Sequence, residues 1–302
     1  VTFAAGRIED LEAVRAAIEG SRSLDVALCA GVLAILFAVS PFLVLLAWPT
    51  VSFPSGALRE RLEKMALRMG VRLRALRVWD ERTQAHVNAC AVGAVPGTRA
   101  VIFTRGICDL MDDDELAAVF CHEAAHLARG HLAAYGRLAL AFLFSLGPLR
   151  EAARPLPGWL ACSLLAAYAG AYWVCLLGMI SRRLETEADL AAASAAGFGA
   201  YLSALRKVAS LLGPAAAQGG WRHLSLSRRL AMLEEASADP HRAQRVFDSC
   251  RRLRAGLFVF FHSNAYRCFR YSCVHAAGDD VHAPSRPLVT VSTPLPVPHL
   301  FF

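Results

Sequence analysis

Residues 156–180 run for 25 positions without a charged side chain, and no other feature limits the fold of this chain as strongly. A helix needs about 20 apolar residues to cross a hydrocarbon core about 30 Å thick, so this run is expected to span a bilayer. Residues 26–48 form a second uncharged run of 23, interrupted only by Pro41. The apolar part of a cleaved leader is only about 7–15 residues long. Residues 26–48 are therefore read as a retained anchor behind a mixed-charge N-terminal segment, residues 1–25. A third apolar run, residues 138–149, has only 12 positions and lengthens to Leu132 if Arg137 snorkels to the interface. Paired with the long run, it is expected to make a membrane hairpin over residues 135–180.

Composition agrees, with 56% hydrophobic residues and a mean hydropathy of +0.39, both high for a soluble protein. The net charge of +7 is scattered beside the apolar runs rather than gathered in a patch. That distribution points to anionic lipid headgroups and away from nucleic acid. Arg59, Arg61, Lys64, Arg68, Arg72, Arg74 and Arg77 follow the anchor, opposed by Glu60 and Glu63. The excess of positive charge places this side in the cytoplasm, the arrangement of a multi-pass protein of the inner cell membrane. The nine cysteines show no scaffold spacing, and no disulfide framework is expected.

The chemistry lies between the apolar runs. Residues 51–134 make the first half of a non-membrane domain and residues 181–254 the second. In the first half, Asp112 and Glu115 have the spacing of a capping box, and Asp113 and Asp114 add negative charge at the positive end of a helix expected to run to Ala134. That helix carries His122-Glu123-Ala124-Ala125-His126. Two histidines four apart share a face, and neutral imidazoles aimed at one point make half of a tetrahedral zinc site. Glu123 stands where a carboxylate can take a proton from water at that ion. In the second half, Glu185 and Asp189 are also four apart. Glu185 is expected to be the third ligand, and Asp189 to accept a hydrogen bond from a ligating imidazole and fix its tautomer. Glu187 is expected to point elsewhere. His131, about half a turn around from His122, is expected to be a surface or structural residue. Because Glu185 and the histidines must reach one ion, the intervening chain has to cross the bilayer an even number of times. Residues 55–69 read as an amphipathic helix, and residues 73–79, 86–92 and 100–104 as strands.

Several ordered segments resemble the membrane zinc metallopeptidases typified by the bacterial heat-shock protease HtpX, with CAAX-prenyl-protein and mitochondrial inner-membrane relatives. They are Asn88-Ala89-Cys90-Ala91-Val92-Gly93, Val101-Ile102-Phe103-Thr104-Arg105-Gly106-Ile107, Asp114-Glu115-Leu116-Ala117-Ala118-Val119 and the histidine motif. Ser181-Arg182 with Glu185 and Ala188-Asp189, then His223-Leu224-Ser225-Leu226-Ser227-Arg228-Arg229-Leu230, follow in the same order. Cys90 departs from the family's usual aromatic, and Leu224 from its proline. The resemblance implies a mainly α fold with a small β-sheet, an α+β gluzincin-type metallopeptidase domain plus transmembrane helices. It also implies one Zn2+ per chain and protein or peptide substrates, membrane proteins among them. An edge strand would lie across the cleft and pair with extended peptide, with Asn88 and Ala89 as its contacts. His223 is either a donor to the developing oxyanion or a helix cap, and Arg229 a structural salt-bridge partner. A zinc-peptidase sensor-transducer and a catalytically silent membrane scaffold stay open as alternatives. Residues 255–302, with an apolar run too short to span, are expected to form a poorly ordered tail.

Overall fold

The computed structural model describes residues 22–80, 87–218 and 224–278. In chain order the elements are α1 (Arg22–Ala47), β1 (Thr50–Ser52), α2 (Ala57–Arg68), β2 (Ala75–Trp79), β3 (Ala89–Val92) and β4 (Ala100–Thr104). Then come α3 (Arg105–Leu110), α4 (Asp113–Ala128), α5 (His131–Ala152), α6 (Gly158–Gly170), α7 (Leu177–Ala196), α8 (Phe198–Leu212), α9 (Leu226–Ala238) and α10 (Pro240–Gly278). The fold is mainly helical with one small sheet, in the strand order β1-β2-β4-β3.

Local chemistry starts α4. The Asp112 side chain accepts from the Asp114 and Glu115 N–H groups at 3.0 and 2.9 Å, and Glu115 accepts from the Asp112 N–H at 3.0 Å. This reciprocal cap satisfies donors that the first turn leaves without helical partners. Lys207 and Ser203 of α8 also bond the Glu115 carboxylate, so the cap ties α8 to the start of α4.

The helix is shorter than the sequence pattern suggests. It stops at Ala128, and Gly130 takes a left-handed backbone, φ 66° and ψ 33°. Glycine enters that region without a Cβ penalty. His131 thus opens a new helix instead of continuing the old one, and this redirection brings it back toward the histidine pair.

The sheet packs against α4. Its central strand β4 pairs in parallel with β2 and antiparallel with β3, with Ala89 opposite Phe103 and Ala91 opposite Val101. Every residue of β4 is buried. Phe103 lies 5.8 Å from Phe53 and 6.5 Å from Phe120 of α4 between ring centroids, joining strand to helix in the main hydrophobic cluster. The short strand β1, not expected from the sequence, pairs with β2. Next to it, Trp48 stacks on Trp79 at 4.4 Å and Arg74 lies over the Phe42 ring, fastening the end of α1 to the sheet.

Among the described residues, three stretches are long and apolar enough to cross a membrane: Ala30–Ala47, His131–Ala152 and Gly158–Ala196. The last comprises α6, a π-helical stretch Ala171–Leu176 and α7. The α5 limb and this long helix pair through Ser145 and Tyr168, whose hydroxyl oxygens lie 2.5 Å apart, and through Tyr172, which donates to the Leu138 carbonyl at 2.7 Å.

Residues 240–278 form one helix, not a tail from residue 255 onward. The reason is a partner invisible to local composition: Leu257 is buried with Leu138, Tyr172, Ile180 and Leu184. Residues 279–302 lie outside the described residues.

Candidate metal centre

Helices α4 and α7 run against each other and present His122, His126 and Glu185 to one point. Their ligand atoms all lie within 4.8 Å of one another. The two Nε2 atoms are 3.2 Å apart. Glu185 Oε2 is 3.7 Å from His122 Nε2, and Oε1 is 3.7 Å from His126 Nε2. A tetrahedral ion with bonds of about 2.0–2.2 Å has ligand-to-ligand edges of about 3.3–3.6 Å. The two imidazoles and the carboxylate therefore fit a zinc-sized ion with little adjustment, and their chemistry suits it.

Each imidazole is held from behind by a different network. His122 Nδ1 faces Asp189 Oδ1 at 3.1 Å and the Tyr201 hydroxyl at 2.8 Å. Tyr201 donates to Asp189 Oδ1 at 2.7 Å, and Arg229 donates through Nε to Oδ2 at 2.8 Å and through Nη2 to Oδ1 at 2.6 Å. A carboxylate held this way accepts a proton-bearing Nδ1, which leaves the Nε2 lone pair facing the ligand cluster.

The second network involves two residues assigned elsewhere from the sequence. His131 is fully buried, with Nδ1 3.0 Å from His126 Nδ1 and Nε2 3.0 Å from Glu187 Oε2. If His126 Nδ1–H donates to His131 Nδ1, then His131 Nε2–H donates to Glu187, and every tautomer is consistent. Glu187 is itself completely buried. It is bonded by Arg254 of α10 and approached by Arg129 at 3.4 Å. Counting positions around a single helix could not place His131 here, because the chain turns at Gly130.

Glu123 projects into the same cleft, of about 520 Å³, which is lined by both imidazoles, Glu185, Asn88, Ala89 and Arg229 among others. Burial pushes its carboxyl up to about 7; the charge of His122 opposes the rise, Glu185 adds to it, and a hydrogen bond from the Ala91 N–H opposes it. For His122, burial favours the neutral ring, but hydrogen bonds with Asp189 and Glu185 prevail and raise it to about 10. Burial and the charge of His122 push His126 down to about 3.

Strand β3 is the sheet edge beside Glu123. Asn88 uses both backbone groups on Thr104: its N–H donates to Thr104 Oγ1 at 3.0 Å and its carbonyl accepts from the Thr104 N–H at 2.9 Å. Its side chain accepts from the Ala89 N–H at 2.9 Å. Alternation along the strand turns Ala89 and Ala91 outward, so Ala91 joins Ala89 on the edge while Asn88 is occupied inward. His223 lies outside the described residues.

Residues 53–248 match the family described as peptidase family M48, and the chain belongs to that family. A CAAX prenyl protease 1 homolog from Oryza sativa subsp. japonica is 34% identical over 79 residues, covering 26% of this chain and 19% of the rice protein. The Arabidopsis thaliana homolog is 35% identical over 79 residues with the same coverages. A protease HtpX homolog from Aquifex aeolicus is 50% identical over 40 residues, 13% of each chain. The matches thus span about a fifth or less of these relatives' lengths. In fold, the chain is similar to the crystal structure of S. mikatae Ste24p, with a TM-score of 0.53 and 18% identity, covering 68% of this chain and 55% of that one.

Proposed function

We propose that this protein is an integral-membrane zinc endopeptidase that hydrolyses peptide bonds of membrane or misfolded proteins. The observation that carries the reading is the meeting of His122, His126 and Glu185 at zinc-like spacing in the cleft that also holds Glu123. His122, His126 and Glu185 would hold one Zn2+ per chain. When bound, the ion supplies Lewis acidity toward the scissile carbonyl and acidifies a coordinated water. Glu123 then takes a proton from the attacking water and passes it to the leaving amine, roles suited to a carboxyl raised toward neutrality. Asp189, Tyr201 and Arg229 orient His122, and His131 with Glu187 orients His126. The outward edge of β3 receives the peptide in extended form through the carbonyls of Ala89 and Ala91, whose N–H groups already meet Asn88 and Glu123, recognising backbone rather than side chains.

The kinship with a CAAX prenyl protease homolog and a protease HtpX homolog supports peptide hydrolysis. The apolar helices support membrane-borne substrates, and the arginines after α1 support a cytoplasmic site on a multi-pass protein. The test compares casein and membrane-protein cleavage by wild type and Glu123→Gln. The variant is expected to keep stoichiometric zinc and lose at least about 100-fold in rate. Equal rates would reject the mechanism, and protein purified without zinc and unable to take it up would favour a scaffold.

A further inference from the structure

The three stretches apolar enough to span do not include α10, whose average is diluted by His262, Ser263 and Asn264 and by the arginines on either side of its uncharged stretch. Its packing tells more than its average. Arg254 lies close enough to Arg137 of α5 to interact electrostatically. Leu257 is buried in one cluster with Leu138, and the Phe261 ring lies 5.9 Å from Phe144. The helices α5 and α10 therefore run parallel in a single register, leaving the peptidase half together.

Their charges follow that register. Between Arg137 and Arg150 of α5 lie 12 uncharged residues, and between Arg254 and Arg267 of α10 lie 12 more. At 1.5 Å per residue each stretch is about 18 Å long. The register that packs Leu257 with Leu138 and sets Phe261 near Phe144 carries position 267 of α10 to the level of position 150 of α5, so the two uncharged stretches lie at the same depth.

Within that layer α10 turns an apolar face outward. Phe258 is 53% exposed, Val259 62% and Phe260 39%, although all three sit at the depth where α5 and α7 pack as a membrane hairpin. Two of the polar residues that follow, His262 and Asn264, are turned back on their own helix. His262 Nδ1 donates to the Phe258 carbonyl at 2.8 Å, and Asn264 Nδ2 donates to the Phe260 carbonyl at 2.9 Å. Satisfying donors within the helix is what a water-free surrounding requires.

We propose that α10 is a fourth membrane-embedded helix, with Phe258, Val259 and Phe260 against lipid acyl chains in continuity with the lipid-facing surface of the α5–α7 hairpin. The match of two stretches of about 18 Å, both shorter than the hydrocarbon core of about 30 Å, means that the bilayer thins locally around this pair or that exposed Arg150 snorkels. The proposal rests on the hairpin being in the membrane, and the test separates the two claims.

The full chain, with its cysteines replaced and its zinc content verified, is reconstituted into phosphatidylcholine and phosphatidylglycerol vesicles. Single cysteines are placed at Val259, at the hairpin residue Leu164 and at Ser237 on the exposed face of α9. A membrane-impermeant maleimide is expected to label Ser237→Cys and to lose labelling at Val259→Cys and Leu164→Cys. A bimane fluorophore at Val259→Cys is expected to be quenched by phospholipids carrying a mid-chain nitroxide. Labelling at Val259 with Leu164 protected overturns the membrane placement of α10 alone. Labelling at both overturns the membrane reading of the hairpin and α10 together. Protection at Val259 without nitroxide quenching assigns its face to another protein chain and also overturns the proposal.

Discussion

Glu187→Gln is the sharpest probe of how the membrane helices reach the metal centre. The carboxylate is completely buried and receives hydrogen bonds from Arg254, 18% exposed in its side chain, and from fully buried His131, which meets His126. The glutamine keeps the shape and an acceptor for His131 but leaves Arg254 facing a neutral amide. Breaking one side of a buried ion pair costs about 3–5 kcal/mol, and the amide acceptor retains part of that. Loosening the orientation of a ligating imidazole typically weakens metal affinity about 10–100-fold, equivalent to about 1.4–2.7 kcal/mol. Competition with a chromophoric chelator reads the zinc affinity, and melting with and without zinc reads the stability. The expected result is weaker zinc binding together with a lower melting temperature in both states. Unchanged affinity alongside a lowered melting temperature would show that Glu187 serves the helix packing alone, and refute the relay through His131 to His126.

Asp189→Asn is expected to weaken zinc about 10–100-fold through His122, with Tyr201→Phe losing less because Arg229 still holds the carboxylate; equal losses in the same chelator competition would contradict that order. Glu115 supplies the pH dependence. Burial acts to raise its carboxyl, but hydrogen bonds from Lys207, Ser203 and the Asp112 N–H outweigh this and hold it below the ordinary value. A depressed native value contributes stability that is complete above the unfolded value, near 4.3, and fades as the pH falls through the native one. The melting gap between wild type and Glu115→Gln, about 1–2 kcal/mol at neutral pH, should accordingly narrow on acidification below about pH 4.3. A gap independent of pH would remove Glu115 from the account.

What could be read from the chain was whatever short range governs. Asp112 and Glu115 are three apart, and their cap forms through contacts that any helix start offers. His122, His126, Glu185 and Asp189 declare themselves because spacing of four aligns side chains on a helix before any tertiary contact exists. Arg229 was expected as a structural salt-bridge partner and is one, but its carboxylate, Asp189, and the part of Tyr201 were not legible, since α8 and α9 come to Asp189 only through packing. His131, read as a surface or structural residue, is a buried structural one, and its contact with His126 was hidden by the left-handed turn at Gly130, the glycine being the available signal. The same blindness hid α10: its partners are Leu138 and Phe144, more than a hundred residues upstream, and no window of local hydropathy contains them.

The reversal of backbone hand at Gly130 has a mechanical effect. A rotation of α5 about its axis, from an added or lost residue or from a tilt imposed by lipid, is not transmitted as twist into α4. Such a joint lets the membrane limb vary in phase and length while the imidazole pair keeps its aim, with the His131–His126 contact and the Tyr135–Ser181 hydrogen bond tying the limb to the metal centre.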